Sequence, residues 1–444
     1  MAELVDVPSS RRWLARLSFL TVAAAVLLVL AVAGLRGSIG LLLVGSIGSA
    51  VGLAAAWWFL THRGLLRWLA GAVVVLAPLV VAVLFARANL IWVMIVFGLL
   101  WSAAVAAGQR ALAPDREDTI TEYETPPPRR PYLIMNPRSG GGKVERFHLA
   151  ERARELGAEV YVFHGPAVDV AEVARDAVRN GADLLGVAGG DGTQALVAGI
   201  AAEHGLPFLV ISAGTRNHFA LDLGLDREDP STCLDALSDG VELRIDLGLI
   251  GDRTFVNNAS FGAYAAIVQS PAYRDDKIGT TLDLLPDVLT GHDGARLRLD
   301  VDGVSVTGPQ AVLISNNPYA ADDVAGLGER PRLDGGTLGV LAVTVRGAAD
   351  AAGLISGGGR ARALTVRATT EAVVDADTPT LPVGIDGEAV ILPTPVRCSI
   401  RPGALRVRVP RRRPGVRPAR PEMDWKRLRR LAFARRRSSD AAAV

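Results

Sequence analysis

Hydrophobic positions are concentrated in the first quarter of the chain. Four apolar runs follow one another there, at residues 14–35, 39–60, 69–85 and 90–107. Each run is about long enough to cross ~30 Å of hydrocarbon as a helix. A cluster of buried core helices is a poor alternative, because the runs have almost no polar face. A cleavable signal peptide is also disfavoured, because three more runs follow the first. We predict four transmembrane helices within residues 14–108.

The distribution of arginines predicts how these helices are oriented. Arginines are more numerous at the two ends of the region and in its central loop than in the other two loops: Arg11, Arg12, Arg16, Arg63, Arg67, Arg110 and Arg116 against Arg36 and Arg87. The positive-inside rule then places residues 1–13 and everything after the fourth helix in the cytoplasm. We therefore expect a multi-pass protein of the cell membrane with its remaining domains cytoplasmic.

The pattern changes after the fourth apolar run. Residues 109–130 are charged, contain a triple proline and have no apolar period, which predicts an extended linker. Residues 131–239 alternate short apolar runs with amphipathic stretches, which is typical of a parallel α/β sheet. Residues 240–396 contain short β-rich runs separated by turn signals, with one predicted helix at about 283–289. These runs indicate a mostly antiparallel β domain.

Composition excludes several classes of protein. The two cysteines lie far apart and form no CxxC pair, so neither a disulfide framework nor a thiolate metal site is indicated. The six histidines show no HExxH-like spacing, which disfavours zinc chemistry. The formal net charge is only +2, but basic residues are concentrated in the C-terminal tail, residues 410–444.

Three glycine-containing turns follow predicted strands of the α/β region: "NPRSGGG", "GGDGT" and "AGTRN". Ligands bind at the carboxyl ends of strands in such sheets. Glycines at these places also have a purely conformational explanation, because tight turns require positive φ. The first turn is not a Walker P-loop, since Val144 rather than Ser or Thr follows Lys143.

The acid inside the second turn helps to identify the ligand. Gly190–Ala195 matches G-x-G-x-x-A, a dinucleotide-binding pattern, but the ribose-binding acid expected about twenty residues later is missing. Asp191 would also repel a pyrophosphate at close range. A divalent cation between the carboxylate and the phosphates reverses that effect, while the following helix N-terminus holds the oxygens. The turn therefore favours a nucleoside triphosphate with Mg²⁺.

Four sequence blocks together resemble those of the diacylglycerol kinase catalytic-domain family, which includes sphingosine kinases and bacterial lipid kinases: "NPRSGGGK", "GGDGTQA", "GTRNHFA" and "IDGE". They occur in the family's order and spacing over roughly residues 131–409. The resemblance implies an α/β nucleotide-binding domain at 131–239 and an antiparallel β-sandwich domain for the lipid substrate at 240–396. It also implies last strands, at about 397–409, that return to the first domain.

The resemblance further implies which residues act. The general base would be Glu388, and Asp191 would be the second catalytic residue through the magnesium ion of MgATP. A plain hairpin turn is the alternative explanation of the "DGE" block, because Asp-Gly is a favoured turn pair. The implied ATP-binding residues are Asn136, Arg138, Ser139, Gly140, Gly189, Gly190, Asp191, Gly192, Thr193, Gln194, Ala195 and Thr215.

Other implied positions depart from the family pattern. Asn217 and Asp246 match supporting residues, and Asp246 is expected to stabilise the cleft. Gly335 stands where the family has a metal-binding acid, which leaves Asp334 as the metal ligand. His218 replaces an aspartate, and His164 replaces a threonine that would contact the nucleotide.

These observations predict a membrane-anchored kinase that uses ATP and Mg²⁺ to phosphorylate a lipid hydroxyl. Diacylglycerol is the favoured acceptor. A sphingoid base or a polyprenol is the alternative acceptor. A non-catalytic nucleotide-binding membrane sensor and an NAD-linked oxidoreductase are the alternatives from other classes. We expect the basic tail to contact an anionic lipid surface, although a solvated tail fits its composition equally well. We expect no nucleic-acid partner, and a homodimer is compatible with the sequence.

Overall fold

The chain forms two compact units. The computed structural model describes residues 9–62, 64–112, 120–163, 168–262, 265, 295–319, 330–345, 350, 363–415 and 424–433. The first unit, here called the membrane unit, combines the N-terminal helices with the end of the chain, from Pro418 onward. The second, here called the kinase-like unit, comprises Thr119–Arg417.

The membrane unit consists of three long apolar helices and one short basic helix among the described residues. The apolar helices are α1 (Ser9–Thr61), α2 (Leu65–Arg87) and α3 (Ile91–Leu112), and the basic one is the C-terminal α9 (Trp425–Phe433). Gly34 interrupts α1 with non-helical angles (φ 65°, ψ 173°), which divides it into two segments. Within the described part of the chain, four stretches are long and apolar enough to cross a membrane: Ser10–Val32, Leu42–Thr61, Leu65–Arg87 and Ile91–Leu112. The expected four apolar helices are therefore present, with ends shifted by a few residues.

Half of the kinase-like unit is a parallel sheet with helices. Its strands are β2 (Pro131–Met135), β3 (Glu159–Val162), β4 (Leu184–Ala188) and β5 (Pro207–Ile211), in the order β3-β2-β4-β5. All three neighbouring pairs are parallel. The residues of β4 and β5 are buried throughout, as expected for central parallel strands.

The connections of this sheet are helical. They are the 3₁₀ turn Ser139–Gly141, α4 (Lys143–Arg146), α5 (Leu149–Glu155), α6 (Val170–Arg179), α7 (Asp191–Glu203), α8 (His218–Asp222) and the 3₁₀ helix Pro230–Leu237. Asp169 caps α6 by accepting a hydrogen bond from Glu172 N at 3.1 Å. Helices α5, α6 and α7 supply buried alanines to the core under the sheet.

The other half is antiparallel. Strands β6 (Gly240–Ile250), β7 (Arg253–Phe255), β9 (Leu297–Val301), β10 (Val304–Thr307), β14 (Glu371–Ala376) and β17 (Val396–Pro410) extend the first sheet. A separate six-stranded sheet contains β8 (Asn258–Gly262), β11 (Ala311–Asn316), β12 (Leu338–Val343), β13 (Leu364–Thr369), β15 (Thr380–Ile385) and β16 (Glu388–Pro393), in the order β13-β12-β11-β8-β15-β16. Buried side chains of both sheets, among them Phe255, Phe261 and Leu299, share one core. The predicted fold class, an α/β part with an antiparallel β-sandwich after four apolar helices, is confirmed.

The long strand β17 joins the two halves. Its first residues pair with β14, antiparallel, and its last residues pair with β5, parallel. A register shift between Arg401 and Leu405 separates its two stretches of pairing with β6. One chain segment thus belongs to both halves, and it coincides with the strands expected to return at about 397–409.

Part of the predicted linker is a strand and not an unpaired extended segment. Residues 122–124 of the predicted linker form a strand, β1 (Glu122–Glu124), which pairs antiparallel with β6. Ion pairs of Arg411 with Glu124 and of Arg413 with Glu122 accompany this pairing. The helix predicted at about 283–289 lies outside the described residues.

Candidate active site

The turn after β2 begins the site. Asn136 N donates to the carbonyl of Ala188 at the end of β4, at 2.9 Å. Its side-chain Oδ1 accepts from Arg138 N at 3.0 Å, which closes the turn. Gly140, Gly141 and Gly142 follow with φ of 56°, 72° and 83°, a conformation that favours glycine. The turn therefore depends on its glycines for its shape.

The turn after β5 packs against the first one. A Cβ added to Gly140 would collide with the carbonyl of Ala213 and lie 2.9 Å from that of Gly214. Asn217 shapes this turn from within: its Oδ1 accepts from Gly214 N at 2.9 Å, and its Nδ2 donates to Ser212 O at 2.8 Å. The buried Asn217 thus supports the loop, while Thr215 is exposed on it.

The turn after β4 completes the set of three. A Cβ on Gly214 would lie 2.8 Å from Gly189 O and 2.9 Å from Gly190 Cα, so the second and third turns are also in contact. Nothing lies within 4 Å of a Cβ placed on Gly190. Helix α7 begins immediately after it, and the first backbone N–H groups of a helix have no partner within the helix. The contact of the three turns leaves open space at a helix end that favours anions.

Two predicted ligand residues have their side chains inside the protein. Gln194 is fully buried, and its Nε2 donates to Gly189 O at 3.1 Å. Ala195 is 3% exposed, and its carbonyl accepts from Thr254 Oγ1 at 2.9 Å. Both residues hold α7 and the glycine turn in place.

Asp191 is the first residue of α7 and is buried, with 9% of its surface exposed. Its Oδ2 accepts from His218 N at 3.2 Å, while its buried Oδ1 has no hydrogen-bond partner among the described residues. Burial raises the pKa of Asp191, and the His218 N–H opposes that shift. Buried charged oxygens in proteins are paired or bind cations, and hard divalent cations prefer oxygen ligands. The unpaired oxygen therefore fits a magnesium ion.

Glu388 lies over the same helix turn. Asp386 and Gly387 form the turn between β15 and β16 with φ of 48° and 84°, both positive, as in the hairpin turn that Asp-Gly favours. A Cβ on Gly192 would lie 2.8 Å from Glu388 Cγ and closer still to its carboxylate. Glu388 is exposed, and the structure brings its side chain against Gly192, the residue that follows Asp191, although almost two hundred residues separate the two segments.

Asp386 does more than form the turn. Its carboxylate accepts from the N–H groups of Val256 and Asn257 at 2.8 Å and of Asn258 at 3.0 Å. Burial raises the pKa of Asp386 to about 7, and the negative charge of Asp191 acts in the same direction, against the three N–H donors. These bonds attach the turn that carries Glu388 to the start of β8.

Arg330 binds the same segment, and no sequence motif predicts this contact. Its buried guanidinium pairs with Asp222, at the end of α8, at 2.6 Å. It also donates to Val256 O at 2.6 Å and to Asn257 Oδ1 at 3.0 Å. Arg330 therefore fastens the α/β half to the sandwich beside the site. Its partners lie far away in sequence, so no local motif marks it.

The predicted supporting and metal residues lie around a second hydrogen-bond network. The buried Asp246 accepts from Asn317 Nδ2 at 3.0 Å, from Gly336 N at 2.6 Å and from Gly403 N at 2.8 Å. Asp334 pairs with Arg332 at 3.0 Å. Among the described residues, no group of three or more His, Cys, Asp or Glu side chains could hold a metal ion. The metal role of Asp334 remains a prediction, and His164 lies outside the described residues.

Comparison with known proteins identifies the family that the site resembles. Residues 130–250 match the family model described as the diacylglycerol kinase catalytic domain. A diacylglycerol kinase of Bacillus subtilis is 35% identical over 140 residues, which are 30% of this chain and 46% of that protein. A diacylglycerol kinase of Mycobacterium tuberculosis is 35% identical over 136 residues, 30% of this chain and 44% of that protein.

Two further comparisons extend along the chain. A probable lipid kinase (YegS-like) of Pseudomonas aeruginosa is 29% identical over 289 residues, 63% of this chain and 93% of that protein. The crystal structure of a diacylglycerol kinase from Bacillus anthracis has a TM-score of 0.48 at 18% identity, covering 63% of this chain and 96% of that one. The chain spans less than half the length of the first two relatives. The resemblance to the diacylglycerol kinase catalytic-domain family is confirmed, and residues 130–250 carry the match.

Proposed function

We propose that this protein is a membrane-anchored lipid kinase that transfers the γ-phosphoryl group of ATP to a lipid hydroxyl. The observation that carries the proposal is the pair of carboxylates at the first turn of α7. Asp191 is buried with one oxygen unpaired, and Glu388 lies over Gly192 at the same turn. The family match supports the same activity.

The three glycine turns form the nucleotide site in this proposal. The free N–H groups at the start of α7 bind phosphate oxygens, helped by the positive end of the helix dipole. Asn136, Arg138, Ser139 and Gly140 approach the nucleotide from the first turn, and Thr215 from the third. The open space at Gly190 admits the phosphates without a side-chain clash.

Asp191 would hold the magnesium ion that accompanies ATP. The ion supplies positive charge that neutralises the triphosphate during transfer. For this role Asp191 must be ionised, although burial raises its pKa. The N–H of His218 keeps the carboxylate oriented through its other oxygen.

Glu388 would act as the general base. It accepts the proton of the lipid hydroxyl while that oxygen forms a bond to the γ-phosphorus. The bond between the γ-phosphorus and the bridging oxygen breaks, and ADP leaves with the electron pair. An exposed carboxylate suits this role, because it must meet a substrate that arrives from outside. The hydrogen bonds of Asp386 fix the turn from which Glu388 projects.

Diacylglycerol is our proposed acceptor, with phosphatidic acid as product. Diacylglycerol kinase is the name of the relatives that are 35% identical. The four apolar helices would keep the enzyme in the membrane that contains this lipid. The arginine distribution would place both ends of the membrane unit in the cytoplasm, where ATP is available.

The test is phosphoryl transfer by the full chain in nanodiscs. ATP labelled at its γ-phosphate is supplied with diacylglycerol, a sphingoid base or a polyprenol. We expect label in phosphatidic acid, and much less with Glu388→Gln. Label in another lipid would correct the acceptor. MgATP binding with no lipid labelled would instead support a nucleotide sensor.

The proposed membrane topology is tested separately with reporter fusions. Fusions after Gly64 and Gln109 should report the inside of the membrane, and fusions after Ser38 and Ala88 the outside.

A further inference from the structure

The C-terminal basic segment contains a helix that packs on the membrane unit. Leu428 and Ala432 of α9 are fully buried in a cluster with Ala15, Ala111 and Leu112. This cluster joins α9 to the beginning of α1 and the end of α3. At least this part of the tail is a folded element rather than a solvated chain.

Aromatic contacts hold the other end of α9. Trp425 lies 5.8 Å from Phe19, between ring centroids, and 6.4 Å from Trp101. The side chain of Asp424 caps the helix by accepting from Lys426 N at 2.8 Å and Arg427 N at 3.0 Å. The position of α9 against α1 and α3 is therefore fixed along its length.

The C-terminal end of α9 has its own partner on α1. Arg16 Nε donates to the carbonyl of Ala432 at 2.9 Å. The last carbonyls of a helix lack partners within it and carry the negative end of the helix dipole, so a cation is favoured there. One of the arginines that predicted the orientation of the first helix thus also binds the tail.

The face of α9 that points away from this packing is cationic. Lys426, Arg427, Arg429 and Arg430 are all exposed. At 3.6 residues per turn Lys426, Arg427 and Arg430 lie on the arc opposite Leu428 and Ala432, and Arg429 lies at its edge. Phe433 lies on the same arc with 73% of its surface exposed. Basic residues with an aromatic ring on one helix face are typical of segments that lie in a membrane interface.

Among the described residues of the membrane unit, the carboxylate nearest this face is Asp424, which caps the start of α9. The described residues of α1, α2, α3 and α9 include no Asp or Glu. The neighbouring helix ends add further cations, with Arg12 on α1 and Arg110 on α3. The exposed Trp13 and Leu20 of α1 mark apolar surface beside the same end of the bundle. A partner for this surface must therefore be anionic and lie next to apolar surface.

We propose that α9, docked on α1 and α3, forms a binding surface for the headgroups of acidic phospholipids. Anionic headgroups provide phosphate charge at the depth where transmembrane helices meet water. A nucleic acid would match the charge but not the adjoining apolar surface. This surface is independent of the proposed kinase chemistry, because all its residues belong to the membrane unit.

The test is photo-crosslinking of the full chain in nanodiscs that contain phosphatidylcholine and a photoactivatable phosphatidylglycerol. Crosslinked peptides are mapped by mass spectrometry. We expect residues 425–433 to carry the acidic lipid. The combined variant Lys426→Gln, Arg427→Gln, Arg429→Gln and Arg430→Gln should reduce that crosslink about tenfold or more, because each basic residue contributes separately. Photoactivatable phosphatidylcholine serves as the reference for proximity alone.

A charge-matched control carries Arg152→Gln, Arg154→Gln, Arg175→Gln and Arg179→Gln, four exposed positions of the kinase-like unit. It should crosslink like the natural chain. Equal loss in the control, or an unchanged crosslink in the α9 variant, would overturn the proposal. The proposal would also be overturned if the α9 variant lost binding of an oligonucleotide but kept the lipid crosslink. Hydrogen exchange over residues 425–433 shows whether α9 stays folded. If α9 unfolds in the fourfold variant, the double variant Lys426→Gln and Arg430→Gln is used instead, and the same loss or retention of the lipid crosslink tests the proposal.

Discussion

Two aspartates near the proposed active site differ in the number of backbone N–H groups that donate hydrogen bonds to them. Asp386, in the turn before β16, accepts hydrogen bonds from three backbone N–H groups. Asp191, at the start of α7, accepts one hydrogen bond of normal geometry, from His218 N, with weaker contributions from Phe219 N and the Asn257 side chain, and its buried Oδ1 has no hydrogen-bond partner among the described residues. Burial raises the pKa of both carboxyl groups.

This difference indicates that Asp386 has a structural role and that Asp191 has an oxygen available to a ligand. Buried polar atoms are nearly always satisfied within a folded chain, and exceptions call for an explanation. Asp386 needs nothing further, because its three donors fix a loop. Asp191 retains one buried oxygen that is available to a cation or another donor. The predictions below test whether the two regions have these distinct roles.

The largest effect is expected from Glu388→Gln. The substitution keeps size and leaves the Asp386–Gly387 turn untouched, but it removes the base. Phosphoryl transfer should fall by about 10²–10⁴, the usual contribution of a positioned general base. MgATP affinity should be unchanged, because the carboxylate faces the acceptor. Both quantities are measured in one nanodisc preparation. Full activity in this variant would remove Glu388 from the catalytic residues.

Gly192→Ala should have a smaller effect on the same reaction. The added methyl group would meet the Glu388 side chain and displace it. A displacement on the order of 1 Å can cost up to about 10² in rate. Gly98→Ala is the control, since nothing lies within 4 Å of a Cβ at that helix position. Normal transfer by Gly192→Ala would mean that Glu388 need not occupy the place observed.

The smallest effect concerns the pH dependence of stability. Unfolded aspartate has a pKa of about 3.9, whereas Asp386 in the fold has a pKa of about 7. The folded state therefore binds the extra proton, and its stabilising contribution is present at low pH and lost as pH rises toward about 7. Asp386→Asn should flatten this decrease, by up to about 4 kcal/mol for a shift of about three pKa units, measured by chemical unfolding. The same change at Asp377, an exposed carboxylate with one backbone donor, should alter little. An unchanged slope for Asp386→Asn would contradict the raised pKa.

The sequence predicted much of the fold because its signals are local. The apolar runs, the alternation of strands and helices and the glycine turns each occupy one continuous segment. The approach of Glu388 to Asp191 could be anticipated only through the family resemblance, because no periodicity relates residues so far apart. Gln194 and Ala195 match the motif and are buried, which a motif cannot show, and their ATP-binding roles stay predictions.

What could not be predicted depends on long-range hydrogen bonds. Asp386 meets Val256–Asn258 across about 130 residues, and Arg330 joins Asp222 to the same segment. No local pattern in "ERPRLDGG" predicts that Arg330 is buried or which residues it contacts. The pairing of β1 with β6 could not be predicted either, because β1 lies in a charged, proline-rich stretch and its partner strand is more than a hundred residues away.

The most direct test of the account is the magnesium dependence of ATP binding. Isothermal titration of the full chain in nanodiscs, with and without Mg²⁺, is compared for the natural protein and for Asp191→Asn. Asparagine keeps an acceptor for His218 N but removes the charge that would hold the ion. The account predicts that Mg²⁺ strengthens ATP binding in the natural protein and does so far less in the variant. Equal strengthening in both, or tighter binding by the variant, would contradict the assignment of Asp191.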